Sequence, residues 1–303
     1  MAGNPKPFRT VEEQIAILES RGVVFSGKEE AARFLLSQNY YSVVNAYKDA
    51  FLDKQASNLA GEDRYRNGLP FEALELVYTF DQTLRRRTLH VLLEAETTIK
   101  TALVYAFCSY YSGPDDYLDP ASYCTKVEFK RPENYTKGFI GLLSKLQGIR
   151  ENRYHKQYIS HYVKQHGCLP LWVAANCLTF GNLSMLFDYQ KQKVKTKTCV
   201  TLARTLEKRT VKQRELAYSL YTLPDFRNIC AHDERLYCAK VGKQGDKGFG
   251  ELLRALRTVV SDERYRAYLD SVDAMLDEIA AKLPFLEETL LLGMGISRAD
   301  FAV

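Results

Sequence analysis

The residue types best suited to chemistry stand together in the hexapeptide RNICAH at residues 227–232. An imidazole such as that of His232 can take or give a proton near neutral pH. A guanidinium such as that of Arg227 can hold a phosphate and the negative charge that grows on it in a transition state. The four specified positions, R-N-x-x-A-H, arise by chance in about one chain in a thousand of this length. Arg227, Asn228 and His232 therefore predict chemistry on a phosphodiester.

A short helix is expected to position these side chains. Pro224 should interrupt the preceding helix, and Asp225 is a suitable N-cap for a helix that restarts there. Helical spacing would then place Asn228, His232 and Arg235 on one face. That face would lie near a helix N-terminus, whose dipole favours an anion. Arg235 is therefore a candidate supporting residue.

A basic segment offers candidate contacts to the phosphates of a nucleic acid. The formal net charge is +5, but residues 191–214 hold nine basic residues against one acid, whereas residues 261–303 hold nine acids against four basic residues. Such an uneven distribution is typical of a phosphate-binding surface. A solvated helix face is the alternative. The candidate RNA-binding residues are Lys191, Lys193, Lys195, Lys197, Arg204, Lys208 and Arg209.

The sequence has no signature of a bound metal, a nucleotide cofactor or a disulfide framework. Its seven Cys and five His do not combine at zinc-finger spacings. The commonest nucleotide-binding and zinc-protease motifs do not occur, and no cluster of Asp and Glu suggests a two-metal site. We therefore expect reduced thiols, no metal and no cofactor.

The rest of the chain is predicted to be helical. Apolar residues recur at three- and four-residue steps from Phe71 to about Tyr110, which predicts one long helix. Residues 53–70 are polar and contain Gly and Pro, so a loop is expected there. This loop suggests a helical N-terminal region, 1–62, that packs on a helical core, 63–303. No alternating strand pattern is evident, and the predicted architecture is an all-α bundle.

Nothing in the sequence indicates export or membrane insertion. No apolar run approaches the roughly 18 residues that span a bilayer, and the N-terminus lacks the apolar core of a signal peptide. We therefore expect a cytoplasmic protein with no membrane association.

Several motifs resemble, in chain order, those of one bacterial family. Residues 227–232 look like the R-x4-H motif of HEPN-superfamily ribonucleases, and the longer R-N-x-x-A-H-x-x-R-L-Y resembles the Abi-like (AbiD/AbiF-type) abortive-infection family. The N-Y-Y of residues 39–41 and the F-D-x-x-L-R of residues 80–85 resemble two further motifs of that family. Trp172 and the T-F-G-x-L-S of residues 179–184 resemble a third.

The resemblance implies a HEPN-type bundle with additional N-terminal helices and an anti-phage endoribonuclease that needs no metal. HEPN ribonucleases use the ribose 2′-OH as the nucleophile and leave a 2′,3′-cyclic phosphate and a 5′-OH. His232 would transfer the proton, Arg227 would stabilise the phosphorane, and Asn228 would orient the His or the phosphate. Glu96, which follows the F-D-x-x-L-R motif, and Arg235 are weaker candidates. A fold-holding ion pair is the alternative for both.

The resemblance also implies partners. HEPN sites usually form where two R-x4-H motifs meet in a dimer, so the single motif here implies a homodimer. Members of the family are associated with a small noncoding RNA that restrains the toxin, and residues 191–214 are a candidate contact for it. Lys100, Asp233 and Cys238 depart from the family pattern, but they leave the R-x4-H motif intact.

Two alternatives to the ribonuclease remain open. The first is a catalytically inactive RNA-binding module of the same fold that senses or sequesters RNA. The second is a protein-interaction bundle with incidental charge. Trp172 and residues 179–184 are interpreted as packing residues, because a lone Trp near a helix start is usually an anchor. Tyr40 and Tyr41 are expected to seat the N-terminal helices.

Overall fold

The fold is almost entirely helical. A computed structural model describes residues 7–302, which contain thirteen α-helices joined by loops, short 3₁₀ turns and one π-helical turn. The helices are α1 (Val11–Ser20), α2 (Lys28–Gln38), α3 (Lys54–Ala60), α4 (Phe71–Cys108), α5 (Pro132–Arg150), α6 (Gln157–His166), α7 (Leu171–Ala174), α8 (Phe180–Asp188), α9 (Gln192–Thr205), α10 (Gln213–Ala231), α11 (Phe249–Val259), α12 (Asp262–Lys282) and α13 (Pro284–Met294). The predicted all-α class is confirmed.

Strand structure within the described residues amounts to one small parallel pair. The two-residue strands β1 (Val23–Val24) and β2 (Leu69–Pro70) form it, with Val23 opposite Leu69. A sheet this small cannot bury a face of its own, so the helices supply the core.

The chain divides into two compact units. The first comprises the described part of Met1–Arg85 together with Val272–Gly293, and the second comprises Arg86–Ser271 together with the described part of Met294–Val303. Helices α4 and α12 therefore contribute residues to both. The sequence predicts an N-terminal region that ends at residue 62 and packs on a helical core. This division of the chain stays a prediction.

The polar segment 53–70 is not a loop throughout, which contradicts the prediction from the sequence. It contains α3, whose N-cap Asp53 accepts a hydrogen bond from the Ala56 N–H at 2.9 Å. Gly61 ends the helix with a φ of 69°, in the left-handed region that favours glycine. Because α3 buries none of its side chains, it lacks the apolar stripe that helix recognition depends on.

In the first unit, Tyr41 does not have its expected packing role, whereas Tyr40 is half-buried. Tyr41 is an exposed residue of the π-helical turn Tyr41–Asn45, and the buried tyrosine of this region is Tyr47. Tyr47 donates a hydrogen bond to Asp81 at 2.7 Å and accepts one from Arg85 at 3.2 Å. The F-D-x-x-L-R motif thus supplies a buried polar network rather than a surface.

In the second unit, α10 packs against α8 and α11. The Ser219 hydroxyl on α10 donates to the Ala255 carbonyl on α11 at 2.9 Å, inside the core. This contact and the surrounding apolar side chains hold α10 firmly, and α10 carries the R-x4-H motif on its last turns.

The prediction that Pro224 ends one helix and Asp225 caps the next is wrong. Helix α10 runs without a break through Pro224. Proline removes one backbone hydrogen bond and costs a helix interior about 3 kcal/mol. Leu220, Leu223 and Phe226 on either side are almost completely buried, and each such side chain contributes about 1.5–3 kcal/mol. Packing on both sides of the proline therefore outweighs its local cost.

Candidate functional site

The R-x4-H motif lies at the C-terminal end of α10. His232 is the C-cap residue, and its backbone N–H donates to the Asn228 carbonyl at 2.9 Å. Asp233 follows with a φ of 60°, and the Glu234 N–H donates to the Ile229 carbonyl at 3.2 Å. This is the hydrogen-bond pattern of a Schellman motif, with an Asp in the left-handed position that glycine usually takes.

The predicted advantage of a helix N-terminus for binding an anion is therefore wrong. The carbonyl groups at a helix C-terminus carry partial negative charge and attract cations. Any phosphate at this position must be held by side chains. The prediction that Arg235 shares a helical face with Asn228 and His232 is also wrong, because α10 ends at Ala231 and Arg235 lies beyond it. Asn228 and His232 remain one helical turn apart.

Helix α4 brings a carboxylate and a second cation to the motif. The Arg227 Nε lies 3.8 Å from the Glu96 Oε2, and the Lys100 Nζ lies 3.8 Å from the Glu96 Oε1. Glu96 and Lys100 are one turn apart on α4, so both reach the same place. The Arg227 Nη1 also donates to the Asn228 Oδ1 at 3.3 Å. The structure thus joins four residues: Glu96, Lys100, Arg227 and Asn228.

The ion pair between Glu96 and Arg227 is loose. The Glu96 side chain is 9% exposed and that of Arg227 is 31% exposed. Among the described residues, neither the Glu96 Oε2 nor the Arg227 Nε has a hydrogen-bond partner, although both atoms are buried. Buried polar atoms normally have partners, and charge-assisted bonds are usually about 2.7–2.9 Å long. The guanidinium is therefore held near the carboxylate without being saturated by it.

The predicted RNA-binding lysines at the start of α9 fall into two kinds. Lys191 and Lys195 donate to the backbone carbonyls of Ala121 and Asp188, at 2.6 and 2.8 Å. Lys191 and Lys195 also lie over rings, those of Tyr111 and Phe187, each at 5.8 Å. Lys193 and Lys197, one turn apart, lie over rings of α4 and the residues that follow it. The Lys193 Nζ is 4.7 Å from the Tyr110 ring centroid and 4.8 Å from that of Tyr111, and the Lys197 Nζ is 5.9 Å from that of Tyr105. We call Tyr105, Tyr110, Tyr111, Lys193 and Lys197 the aromatic–lysine surface.

The other predicted RNA-binding residues lie elsewhere in the second unit. Arg204 is exposed on the last turn of α9. Lys208 is paired with Asp262 and, with Arg209, lines a cavity of about 970 Å³. The hydrogen bond from Lys208 lowers the pKa of the Asp262 carboxyl. The residues of the basic segment therefore differ in their exposure and in their partners, and their role in RNA binding stays a prediction.

Trp172 and residues 179–184, which together resemble one motif of the family, have different surroundings. Thr179 and Asn182 form a capping box that starts α8, whose Phe180 and Leu183 are buried, so a packing role is confirmed for residues 179–184. Trp172 is 53% exposed, and its expected role as a packing anchor is wrong. In the sequence, Lys100 stands out only as a departure from the family pattern and not as a site residue, although its position one turn after Glu96 was a usable signal.

The structure is thus an all-α fold that carries Arg227, Asn228 and His232 at the C-terminal end of α10. The sequence profile of the Abi-like protein family matches residues 33–238, and the chain belongs to this family. Membership indicates an abortive-infection function. No curated protein and no solved structure matches the chain significantly.

Residues 7–302 show no sign of a membrane span or of a metal site. No helix there is both long and apolar enough to cross a membrane. No group of three or more His, Cys, Asp or Glu side chains lies where it could hold a metal ion.

Proposed function

We propose that the protein is a metal-independent endoribonuclease of the HEPN type that acts in bacterial defence against phage. The observation that carries the proposal is the cluster at the end of α10. There, Arg227 lies beside Glu96, which also has Lys100 near it, and Arg227 donates to Asn228, one turn before the exposed His232. The cluster combines a proton carrier with two cations suited to a phosphodiester.

In the proposed reaction, the ribose 2′-oxygen attacks the adjacent phosphorus. The new bond joins the 2′-oxygen to phosphorus, and the bond from phosphorus to the 5′-oxygen of the next nucleotide breaks. The 2′-OH loses a proton, and the leaving 5′-oxygen gains one. The products are a 2′,3′-cyclic phosphate and a 5′-OH, so no water or redox partner takes part in this step.

The side chains would divide the work by their chemistry. His232 carries a proton at the 2′- or 5′-oxygen. Arg227 and Lys100 hold the non-bridging oxygens, where negative charge grows. Glu96 is a positioning residue, because it restrains Arg227 without forming a hydrogen bond that would occupy the Nε.

The test of this proposal is the chemistry of the product ends. Single-stranded RNA should be cut undiminished in EDTA and should yield a cyclic phosphate and a 5′-OH. Deoxyribose at the cut site should abolish cleavage. His232→Ala should lower the rate by about 10²–10⁴-fold, whereas His161→Ala, a matched change of an exposed histidine on α6, should not.

Each contrary result has a distinct meaning. A 3′-OH with a 5′-phosphate would indicate attack by water and would overturn the mechanism. Binding of RNA without cleavage would favour the inactive RNA-binding module. A His232→Ala variant that cuts at the wild-type rate would show that the proposed site is not the catalytic site.

The proposal includes a homodimer and RNA partners. The reaction needs one proton removed and one delivered, and a second copy would supply the second imidazole. Light scattering at micromolar concentration should report twice the chain mass of 34.7 kDa, and a fully active monomer would contradict the dimer. A small noncoding RNA that restrains the enzyme would contact the aromatic–lysine surface.

A further inference from the structure

The exposed Trp172 stands at a pocket in the second unit. The pocket has a volume of about 390 Å³, within the range of small-ligand sites. Its lining includes Lys100, Val104, Tyr105, Cys108, Trp172 and Asn176.

The floor of the pocket is apolar, and its rim is not. Val104 and Ala175 are buried, and burial raises the pKa of the Cys108 thiol to about 11, so this thiol is uncharged at neutral pH. The Asn176 side chain is at the surface, and its Nδ2 donates to the Val173 carbonyl at 3.3 Å. The amide oxygen remains as an acceptor that an N–H group of a ligand can use.

Two large rings border the pocket and are open to solvent. Trp172 is 53% exposed and Tyr105 is 59% exposed, although side chains of this size usually lie mostly inside. The Lys197 ammonium lies over the Tyr105 ring at 5.9 Å, and Lys100 lines the pocket itself. Exposed rings interleaved with lysines are suited to bases that stack and phosphates that carry charge.

Helix α4 connects this pocket to the cluster at the end of α10. Glu96, Lys100 and Val104 follow one another at four-residue steps and so form a stripe that winds slowly around the helix. Glu96 lies at the Arg227 guanidinium, and Val104 lies in the pocket. At 1.5 Å per residue the two are about 12 Å apart along the axis. This distance corresponds to about three to four nucleotides of a stacked strand.

We propose that the pocket holds one unpaired base of the RNA strand that is cut at Arg227 and His232, with the base stacked on Trp172. The inference rests on the proposed function, since the strand must lie at the R-x4-H motif. Lys100 then has two neighbours, the Glu96 carboxylate and the backbone of the bound strand. The pocket thereby makes the enzyme select single-stranded RNA.

Trp172 is the one tryptophan of the chain, so intrinsic tryptophan fluorescence reports on the pocket alone. The full chain is titrated with a single-stranded RNA that has deoxyribose at the cut site and is therefore not cleaved by the proposed reaction. We expect saturable quenching, and none from the blunt duplex of the same sequence. An abasic nucleotide moved stepwise along the strand should abolish quenching at one position, within about four nucleotides of the cut.

Variants separate stacking from a general loss of binding or folding. A base stacked on a ring contributes about 1–3 kcal/mol, so Trp172→Leu should weaken binding of a labelled strand by about 5- to 150-fold. Trp172→Phe should recover most of it. Tyr105→Leu should weaken quenching of Trp172. Tyr154→Leu should not, although Tyr154 also has a lysine over its ring, Lys145 at 4.6 Å.

The outcomes distinguish this inference from the function on which it rests. Cleavage with the proposed ends but without quenching would overturn the pocket and leave the ribonuclease intact. Quenching that depends on the base at one nucleotide position, without any cleavage of RNA, would support base binding in the pocket and contradict the ribonuclease function. Equal quenching by duplex and single strand, or by every abasic strand, would show that no unpaired base enters the pocket.

Discussion

Two arginine–carboxylate pairs in this protein have opposite surroundings. In the first unit, the Arg85 Nη1 donates to the Asp81 Oδ2 at 2.8 Å, and the two side chains are 3% and 0% exposed. In the second unit, the Arg227 Nε lies 3.8 Å from the Glu96 Oε2, with side-chain exposures of 31% and 9%. The first pair is closed, and the second is open on the arginine side.

The neighbours of each pair explain the difference. Tyr47 donates to Asp81 and accepts from Arg85, so the charges of the closed pair are bonded on several sides. Burial, and then the Asp81 carboxylate, raise the pKa of the Tyr47 hydroxyl, which therefore keeps its proton at neutral pH. Glu96 instead has two cations near it, each 3.8 Å away. A satisfied buried pair specifies a fold, whereas an unsaturated one keeps bonding capacity for a ligand.

The largest expected effect is the loss of stability when the closed pair is broken. Arg85→Met leaves the Asp81 carboxylate buried and uncompensated, which costs about 3–5 kcal/mol. Arg227→Met should cost about 1 kcal/mol or less, because the arginine is partly exposed and Lys100 remains beside Glu96. Urea denaturation followed by circular dichroism measures both changes.

The same two variants should rank in the opposite order in the cleavage assay. Arg227→Met removes a transition-state donor and should lower the rate by about 10²–10³-fold. Arg85→Met, assayed under conditions where circular dichroism shows that it is folded, should cut at the wild-type rate. If both variants lost stability equally, or if Arg227→Met kept its rate, the contrast between a closed and an open pair would fail.

The smallest expected effect extends the contrast to the lysines of α9. All four lysines lie over rings, but Lys191 and Lys195 also donate to backbone carbonyls. Reversing Lys193 and Lys197 to Glu should reduce the log–log salt slope of RNA binding by about 1.4, at about 0.7 for each lost single-strand contact. The same reversal at Lys191 and Lys195 should change the slope less. Equal slopes for the two double variants would favour the alternative that all four lysines belong to a solvated surface.

Local sequence patterns were sufficient to predict several features of the fold. The apolar repeat from Phe71 predicts one long helix ending near Tyr110, and α4 ends at Cys108. The all-α class follows from the same periodicity, because spacing of apolar residues is a property of the chain itself. The R-x4-H motif and Glu96 are also readable as residues, although their roles stay predictions.

The sequence by itself determined the all-α class, the long helix α4 and the chemical groups of the R-x4-H motif, since short-range periodicity and residue type are local properties. Only the tertiary structure decided how those groups meet. Burial on both sides of Pro224 carries α10 through the proline and places His232 at a helix C-terminus. The packing of α10 and α4 sets Arg227 beside Glu96, and Trp172 stays open to solvent. These outcomes depend on contacts between residues far apart in the chain, which no local pattern records.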